Sequence, residues 1–323
     1  MKNNLRNIIN VEKKQIYLPN FVGSEQNQDL SEVPNCQGYG RIHHFQSSTI
    51  DGWVSNPLPI YQAQKKMNLP FTDKLDAQIF QITSCNVNCC YCFVPQSMKR
   101  GVSTDGKWFY IEELIDVFME EKKRPNTIVV SGGNPELTPE IIVWIMKELD
   151  KRGISKNFYI WSDDALSGHY WGEYLTLQEI QYIQNYRNYG KVCCFKGFDD
   201  ESIKYSAKSD ISLDKQLEIF EMYMKLGIDL YGYVTFVTPN LNNIRKRIET
   251  FIIKLQRLNF YLPLRMVPLP IEIFPSMEYK IPINIRESIN NQFIVLEEWL
   301  NVLSRYYSSN EMHRPITDID ILV

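Results

Sequence analysis

From about residue 76 onward the chain alternates between short β-branched or aromatic runs and longer stretches whose apolar residues recur at helical spacing. The strand candidates are "AQIFQITS" (77–84), "TIVVSGG" (127–133), "NFYIWSD" (157–163), "KVCCFKGF" (191–198), "DLYGYVTFV" (229–237) and "PLRMVPLP" (263–270). The prolines of the last suit an edge, because proline cannot donate to a ladder. Helices are predicted over 108–123, where Ile111, Leu114, Ile115 and Phe118 share a face, and from Thr138-Pro139 to Gly153. Others follow near 176–189, over 212–227 with Gly227 as the stop, over 243–259 and over 286–307. Six strand–helix units in succession imply an α/β fold with a parallel sheet and right-handed crossovers. Six are too few to close an eight-stranded barrel, so the candidates are an open partial barrel and a doubly wound sheet. In both, ligands gather at the carboxyl ends of the strands.

Residues 1–70 lack this alternation and are turn-rich. They read as an N-terminal extension packing on the core, followed by a barrel over 71–285 and a C-terminal helix and tail over 286–323. The 323 residues can bury a sizeable core. A net charge of −3 leaves no basic footprint for nucleic acid. No apolar run is long enough for a signal peptide or a membrane span. Seven cysteines, an odd and clustered set, fit a reducing cytoplasm and metal or redox chemistry better than a disulfide framework.

Four of the seven fall in "SCNVNCCYCFVP" (84–95), directly after the first strand. Cys85, Cys89 and Cys92 form C-x3-C-x2-C. Thiolates are soft ligands for iron–sulfur clusters or zinc. Three of them can hold three irons of a [4Fe–4S] cube and leave the fourth iron open. A structural zinc would need a fourth ligand, with Cys36, His43 or His44 as the candidates. A thiol–disulfide pair, Cys89 with Cys92, would leave Cys85 unexplained. Cys90 fits none of these spacings and is read as packing beside the site.

This loop resembles the radical S-adenosylmethionine (SAM) superfamily, in which an aromatic residue precedes the third cysteine as Tyr91 does here. The resemblance covers roughly residues 76–270. It implies a partial (β/α)6 TIM-like barrel, a [4Fe–4S] cluster ligated by Cys85, Cys89 and Cys92, and SAM on the open iron. It also implies a reductant such as flavodoxin or ferredoxin. "SGGNPELTP" (131–139) resembles the superfamily's glycine turn, whose backbone holds the SAM amino group. Gly132, Gly133 and Pro135 match, while Asn134 replaces the usual acid. Glycines there let the chain approach a ligand closely. Ser162, Asp163 and Asp164, at the end of the third strand, fall where the ribose of SAM lies by analogy.

Lys196 aligns with the lysine of an Asp-Leu-Lys run in activating enzymes of pyruvate formate-lyase, and Cys194 stands at the aspartate. Strand alternation puts Cys194 and Lys196 on one face, so an interior Cys194 could give a hydrogen atom to a substrate radical. Tyr231, Tyr233 and Thr235 share a face, as do Arg265 and Val267. Arg265 has two readings, a substrate anion or a core acid. The implied function is reductive SAM cleavage, followed by hydrogen abstraction from a small-molecule or peptide substrate. The alternatives are a glycyl-radical-enzyme activating protein, which would dock a partner, and a non-catalytic zinc or iron–sulfur binding module. A second cysteine cluster near the C-terminus is absent, which disfavours subfamilies with auxiliary clusters.

Overall fold

A computed structural model of the chain describes residues 5–48, 55–103 and 105–321. The first elements are β1 (Ile9–Asn10), β2 (Gln15–Pro19), β3 (Arg41–Gln46), α1 (Ile60–Met67), β4 (Lys74–Ile82), β5 (Gly106–Tyr110) and α2 (Ile111–Glu120). Next come β6 (Thr127–Gly132), α3 (Glu140–Lys151), β7 (Tyr159–Asp164), α4 (Tyr170–Tyr174), α5 (Leu177–Asn185) and β8 (Tyr189–Phe195). The chain continues through α6 (Asp200–Ala207), α7 (Leu213–Lys225), β9 (Leu230–Val234), α8 (Ile244–Leu258) and β10 (Met266–Pro268). It ends in α9 (Ile283–Asn290), α10 (Gln292–Tyr306) and α11 (Ser309–Met312).

The main sheet has the order β10-β9-β8-β7-β6-β4-β3. From β4 to β10 the six strands are parallel and adjacent in chain order, each joined to the next by helix. β3 runs antiparallel beside β4 and extends the sheet at that edge. The two faces carry different residues, as a period of two requires. Phe80, Ile82, Val130, Ile160, Phe195 and Val234 point outward into the layer of helices. Ile79, Val129, Trp161, Val192, Tyr231 and Tyr233 point inward and pack with Leu58, Ile60 and Ala63 around the start of α1. A one-residue slip in any strand would exchange these sets, so the register is held from both faces. One cavity is lined by residues from β3, β4, β6, β7, β8 and β9 of the main sheet and by Leu269, just past β10. The sheet therefore curls until its two edges share an interior. This is the partial (β/α)6 barrel that the resemblance implied, and of the two folds the alternation left open it is the one adopted.

Local signals mark several ends. Thr176 and Glu179 form a capping box at α5, Asp199 and Ser202 one at α6, and Ser212 caps α7. Gly153 and Gly227 follow α3 and α7 at φ +69°. Thr138 does not cap α3 with its side chain, since its hydroxyl lies 3.3 Å from the Pro135 carbonyl.

Three expectations are corrected. Residues 108–110 belong to β5, where Trp108 and Phe109 pair with Tyr17 and Ile16 in a small sheet, β1-β2-β5. That partner lies ninety residues away, where helical spacing cannot register it. The predicted 286–307 helix is two helices, α9 and α10, meeting at Asn291, whose side-chain amide donates to the Thr238 carbonyl at 3.0 Å. The sixth strand keeps only three paired residues at the sheet edge.

Candidate active site

The cysteine loop leaves β4 and is pinned at both flanks. Gly101 N–H donates to the Thr83 carbonyl at 2.8 Å. Asn88 and Cys90 N–H groups donate to the Ala207 and Ser206 carbonyls at 3.0 and 2.8 Å. These last bonds satisfy carbonyls at the end of α6, which have no partner inside the helix. They also hold Cys90 against α6, away from the other three thiols. Tyr91 ties the loop to the end of β9 through Thr235, at 3.0 Å between hydroxyls.

Cys85, Cys89 and Cys92 line the interior cavity of about 330 Å³, whereas Cys90 does not. The charges that act on Cys89 are those of Lys196, Cys92, Cys85 and Lys99. Burial pushes the Cys89 thiol up to about 12, against the pull of Lys196. Burial also works to lower Lys196, but the thiols of Cys194, Cys89, Cys85 and Cys92 hold it above the usual lysine value. The three loop thiols and one cation thus share one wall. Among the described residues no three His, Cys, Asp or Glu side chains gather as they would around a single ion. Thiolates are the usual ligands of iron–sulfur clusters, and the three thiols here belong to one loop. The donor set fits such a cluster.

The glycine turn lies beside this wall. Gly132 holds φ +97°, which favours glycine, and both Gly132 and Gly133 line the cavity. A Cβ on Gly133 would collide with the Ser84 carbonyl oxygen and stand 2.8 Å from that of Ile82. These are backbone atoms of β4 and the cysteine loop, so the contact cannot be relieved by a rotamer. Gly133→Ala is therefore expected to lower stability by about 1–3 kcal/mol, measured as a shift in denaturation midpoint. An unchanged midpoint would show that the turn can move away from the cysteine loop.

The remaining sequence-predicted residues divide. Pro135, Asp163, Asp164, Cys194 and Lys196 line the cavity. Asp163 accepts a short hydrogen bond from the Ser131 hydroxyl. Ser162 is the correction: it is fully buried on the outer face, 2.7 Å from the Tyr189 hydroxyl, because it alternates with Trp161 and Asp163. Asn134 is likewise buried behind the cavity wall. Its amide nitrogen donates to Asn86 and Ser167 at 2.8 and 2.9 Å. Its backbone N–H donates to the Ser84 carbonyl at 2.7 Å, which ties the turn to the cysteine loop.

Tyr233, Thr235 and His43 reach the cavity. His44 pairs with Asp76 at 2.6 Å, and Cys36 is buried elsewhere, its N–H on Glu121. Arg265 takes the core-acid reading. It pairs with Asp229 at 3.1 Å, donates to the Ile319 carbonyl at 2.7 Å and lies before β10.

Two groupings escaped the sequence reading. Beneath the glycine turn, Lys191 on the outer face of β8 pairs with Glu136, and both are fully buried. Asp164 stands 3.6 Å from the same ammonium, and Tyr223 donates to Glu136 at 3.2 Å. Burial pushes the Glu136 carboxyl up, and Lys191 pulls it back. The second grouping covers the cavity. Gln26, Asp29 and Leu30 from the N-terminal region and Ile271, Glu272 and Phe274 from beyond β10 all line it. The two segments are joined by Ser276 on Asp29 and by Lys280 on Glu25 at 2.5 Å.

A curled parallel sheet with three loop thiols and a glycine turn at its carboxyl ends defines a partial-barrel α/β protein with a thiol-lined wall. The chain belongs to the radical SAM superfamily, whose family model matches residues 80–251. It is 24% identical over 162 residues to a 7-carboxy-7-deazaguanine synthase of Methanothermobacter thermautotrophicus. The match takes in 48% of this chain and 59% of that protein, so the chain spans less than two thirds of its relative. Streptococcus suis SuiB bound to its precursor peptide SuiA superposes with a TM-score of 0.44 at 10% identity, over 78% of this chain and 55% of that one. The protein anSMEcpe with bound AdoMet superposes with a TM-score of 0.43 at 15% identity, over 68% and 59%.

Proposed function

We propose that this chain is a radical SAM enzyme acting on a small molecule. In this reading Cys85, Cys89 and Cys92 hold a [4Fe–4S] cluster, with SAM on its open iron. The observation that carries it is the shared wall: three thiols of one loop, Lys196 and the glycine turn open into a single cavity while Cys90 is held against α6. When bound, the cluster supplies the electron that cleaves SAM to methionine and a 5′-deoxyadenosyl radical, which takes a hydrogen atom from the substrate.

The chain's own residues would do the rest. Gly132 and Gly133 admit the methionine end of SAM to the backbone. Asp163 offers a carboxylate acceptor for ribose hydroxyls, and Lys196 offsets negative charge at the thiol wall. Burial pushes the Cys194 thiol up to about 12, which keeps it as S–H at neutral pH, the form that can give a hydrogen atom. The segments 25–30 and 271–280 would shield the radical from bulk water on that side of the cavity. They also favour a small substrate over a protein backbone, which would need that face open, and so weigh against a glycyl-radical activator. The name of the deazaguanine synthase relative points to a small-molecule product as well. A low-potential electron donor such as flavodoxin or ferredoxin, and a reducing cytoplasm, go with this chemistry. All seven cysteines are free thiols, and no described helix is long and apolar enough to cross a membrane.

The test is anaerobic reconstitution followed by SAM and dithionite. The expected result is about four irons and four sulfides per chain, with release of 5′-deoxyadenosine. One zinc per chain without iron–sulfur absorbance would overturn the proposal in favour of a binding module.

A further inference from the structure

Arg41 is only 8% exposed, and it lines the cavity from β3. No described residue forms a hydrogen bond or ion pair with its guanidinium, and its Nε is buried without a partner. A desolvated cation left unpaired is costly unless something supplies the opposite charge. The cost shows in its proton affinity: burial pulls Arg41 down to about 10, and the more distant charge of Asp163 restores only part of the loss.

Asp163 is the acid whose charge acts on Arg41, while Glu272, which also lines the cavity, is not among the charges that do. Asp163 takes the Ser131 hydroxyl. Asp164 accepts the Leu166 N–H at 2.6 Å and faces Lys191. The other cations near the site are also spoken for: Lys196 stands among the thiols, buried Lys99 acts on Cys85 and Cys89, and Lys191 is paired with Glu136 on the outer face. β3 lies outside residues 80–251, the part of the chain that the family model matches.

We infer that Arg41 is the specificity residue for the substrate, and that the substrate carries a carboxylate. This rests on the proposed function above and names the substrate class of the same cavity. A guanidinium presents a planar fork that a carboxylate meets with two parallel bonds. Charge selects carboxylate over phosphate. A monoanion balances one guanidinium, whereas a phosphate dianion would leave excess negative charge beside Asp163. His43, on the same face of the same strand, adds no positive charge. Burial first, then the charges of Arg41 and His44, lower its imidazolium to about 3, so the ring is neutral. Its Nε2 lies 3.3 Å from the Asn56 amide. The walls around the fork, Phe45, Trp161 and Tyr233, are aromatic, which suits a flat carboxylic acid.

The test uses reconstituted protein with SAM bound, and reads binding by calorimetry. The probes are benzoate, nicotinate and indole-3-carboxylate, each against its carboxamide, with phenyl phosphate as the dianion. The carboxylates are expected to bind roughly 10- to 100-fold more tightly than their carboxamides, as a charged hydrogen-bonded pair implies. Phenyl phosphate should bind no better than benzoate. Arg41→Gln should erase the preference for the acids, and Arg41→Lys should restore part of it, because it keeps the charge without the fork. Equal binding of acid and amide by the unaltered protein would overturn the inference, as would failure of every acid to bind. A preference that survives in Arg41→Gln, or tighter binding of phenyl phosphate, would overturn it too. The comparison in the unaltered protein stands even if a variant does not fold. Iron content and 5′-deoxyadenosine release are measured on the same samples. Their loss would sink the radical SAM reading, while loss of the acid preference alone sinks only this one.

Discussion

Cys89→Ser protein is expected to leave anaerobic reconstitution without iron–sulfur absorbance and to release no 5′-deoxyadenosine, while Cys90→Ser protein keeps both. The two residues are neighbours in sequence and differ only in where their side chains go. Cys89 lines the cavity with Cys85 and Cys92, whereas the backbone of Cys90 is bonded to Ser206 at the end of α6 and its side chain stays out of the cavity. Removing a ligand should cost more than the roughly 10- to 100-fold lost with an outer-shell partner. Iron analysis and product chromatography read the outcome. Loss of the cluster in Cys90→Ser with retention in Cys89→Ser would reverse the ligand assignment.

Lys191→Met is expected to destabilise the chain by about 3–5 kcal/mol, the range for removing one partner of a buried ion pair. It leaves Glu136 and Asp164 in the protein interior without the ammonium that separates them. The rings of Tyr223 and Trp171, 4.9 and 5.3 Å from that ammonium, lose their cation as well. The double variant Lys191→Met, Glu136→Gln should recover much of the loss, because no uncompensated charge remains at Glu136.

The single variant should also depend on pH. Without Lys191, burial and Asp164 both raise Glu136, so its carboxyl in the folded chain lies above its unfolded value. Stability carried by such a group is present below the unfolded value and is lost as pH rises through the folded one. The deficit of Lys191→Met should therefore widen from pH 5 to pH 8. Urea midpoints at those two pH values check it, and a deficit that narrows would sink the account. Glu136 follows the glycine turn directly, so SAM binding should weaken in parallel.

Much of the barrel was legible because its signals are local. Strand runs, helical spacing and caps such as Thr176 with Glu179 lie within a few residues of one another. The C-x3-C-x2-C spacing is local too, which is why the three cavity-lining thiols and the turned-away Cys90 were separable before any fold was known. The misreadings came where a distant partner decided the outcome. Trp108 joined β5 because Tyr17 was there to pair with it. Ser162 was grouped with Asp163 and Asp164 as one polar cluster, but the strand's alternation sends it to the outer face beside Tyr189.

The sequence by itself determined the succession of strands and helices, the parallel α/β class and the identity of the thiol loop, because each depends on periodicity or on spacing within a short segment, whereas the curl that makes the sheet a partial barrel came from the tertiary structure. Only the tertiary structure decided which charges meet. Lys191 and Glu136 are 55 positions apart, and Asp29 and Ser276 are 247 apart. Arg41 enters the cavity only because β3 pairs with β4 across the intervening α1 segment. No local pattern reports such meetings. They follow from the curl of the sheet, which brings distant side chains into one low-dielectric interior where pairing, or the lack of it, carries a large free energy.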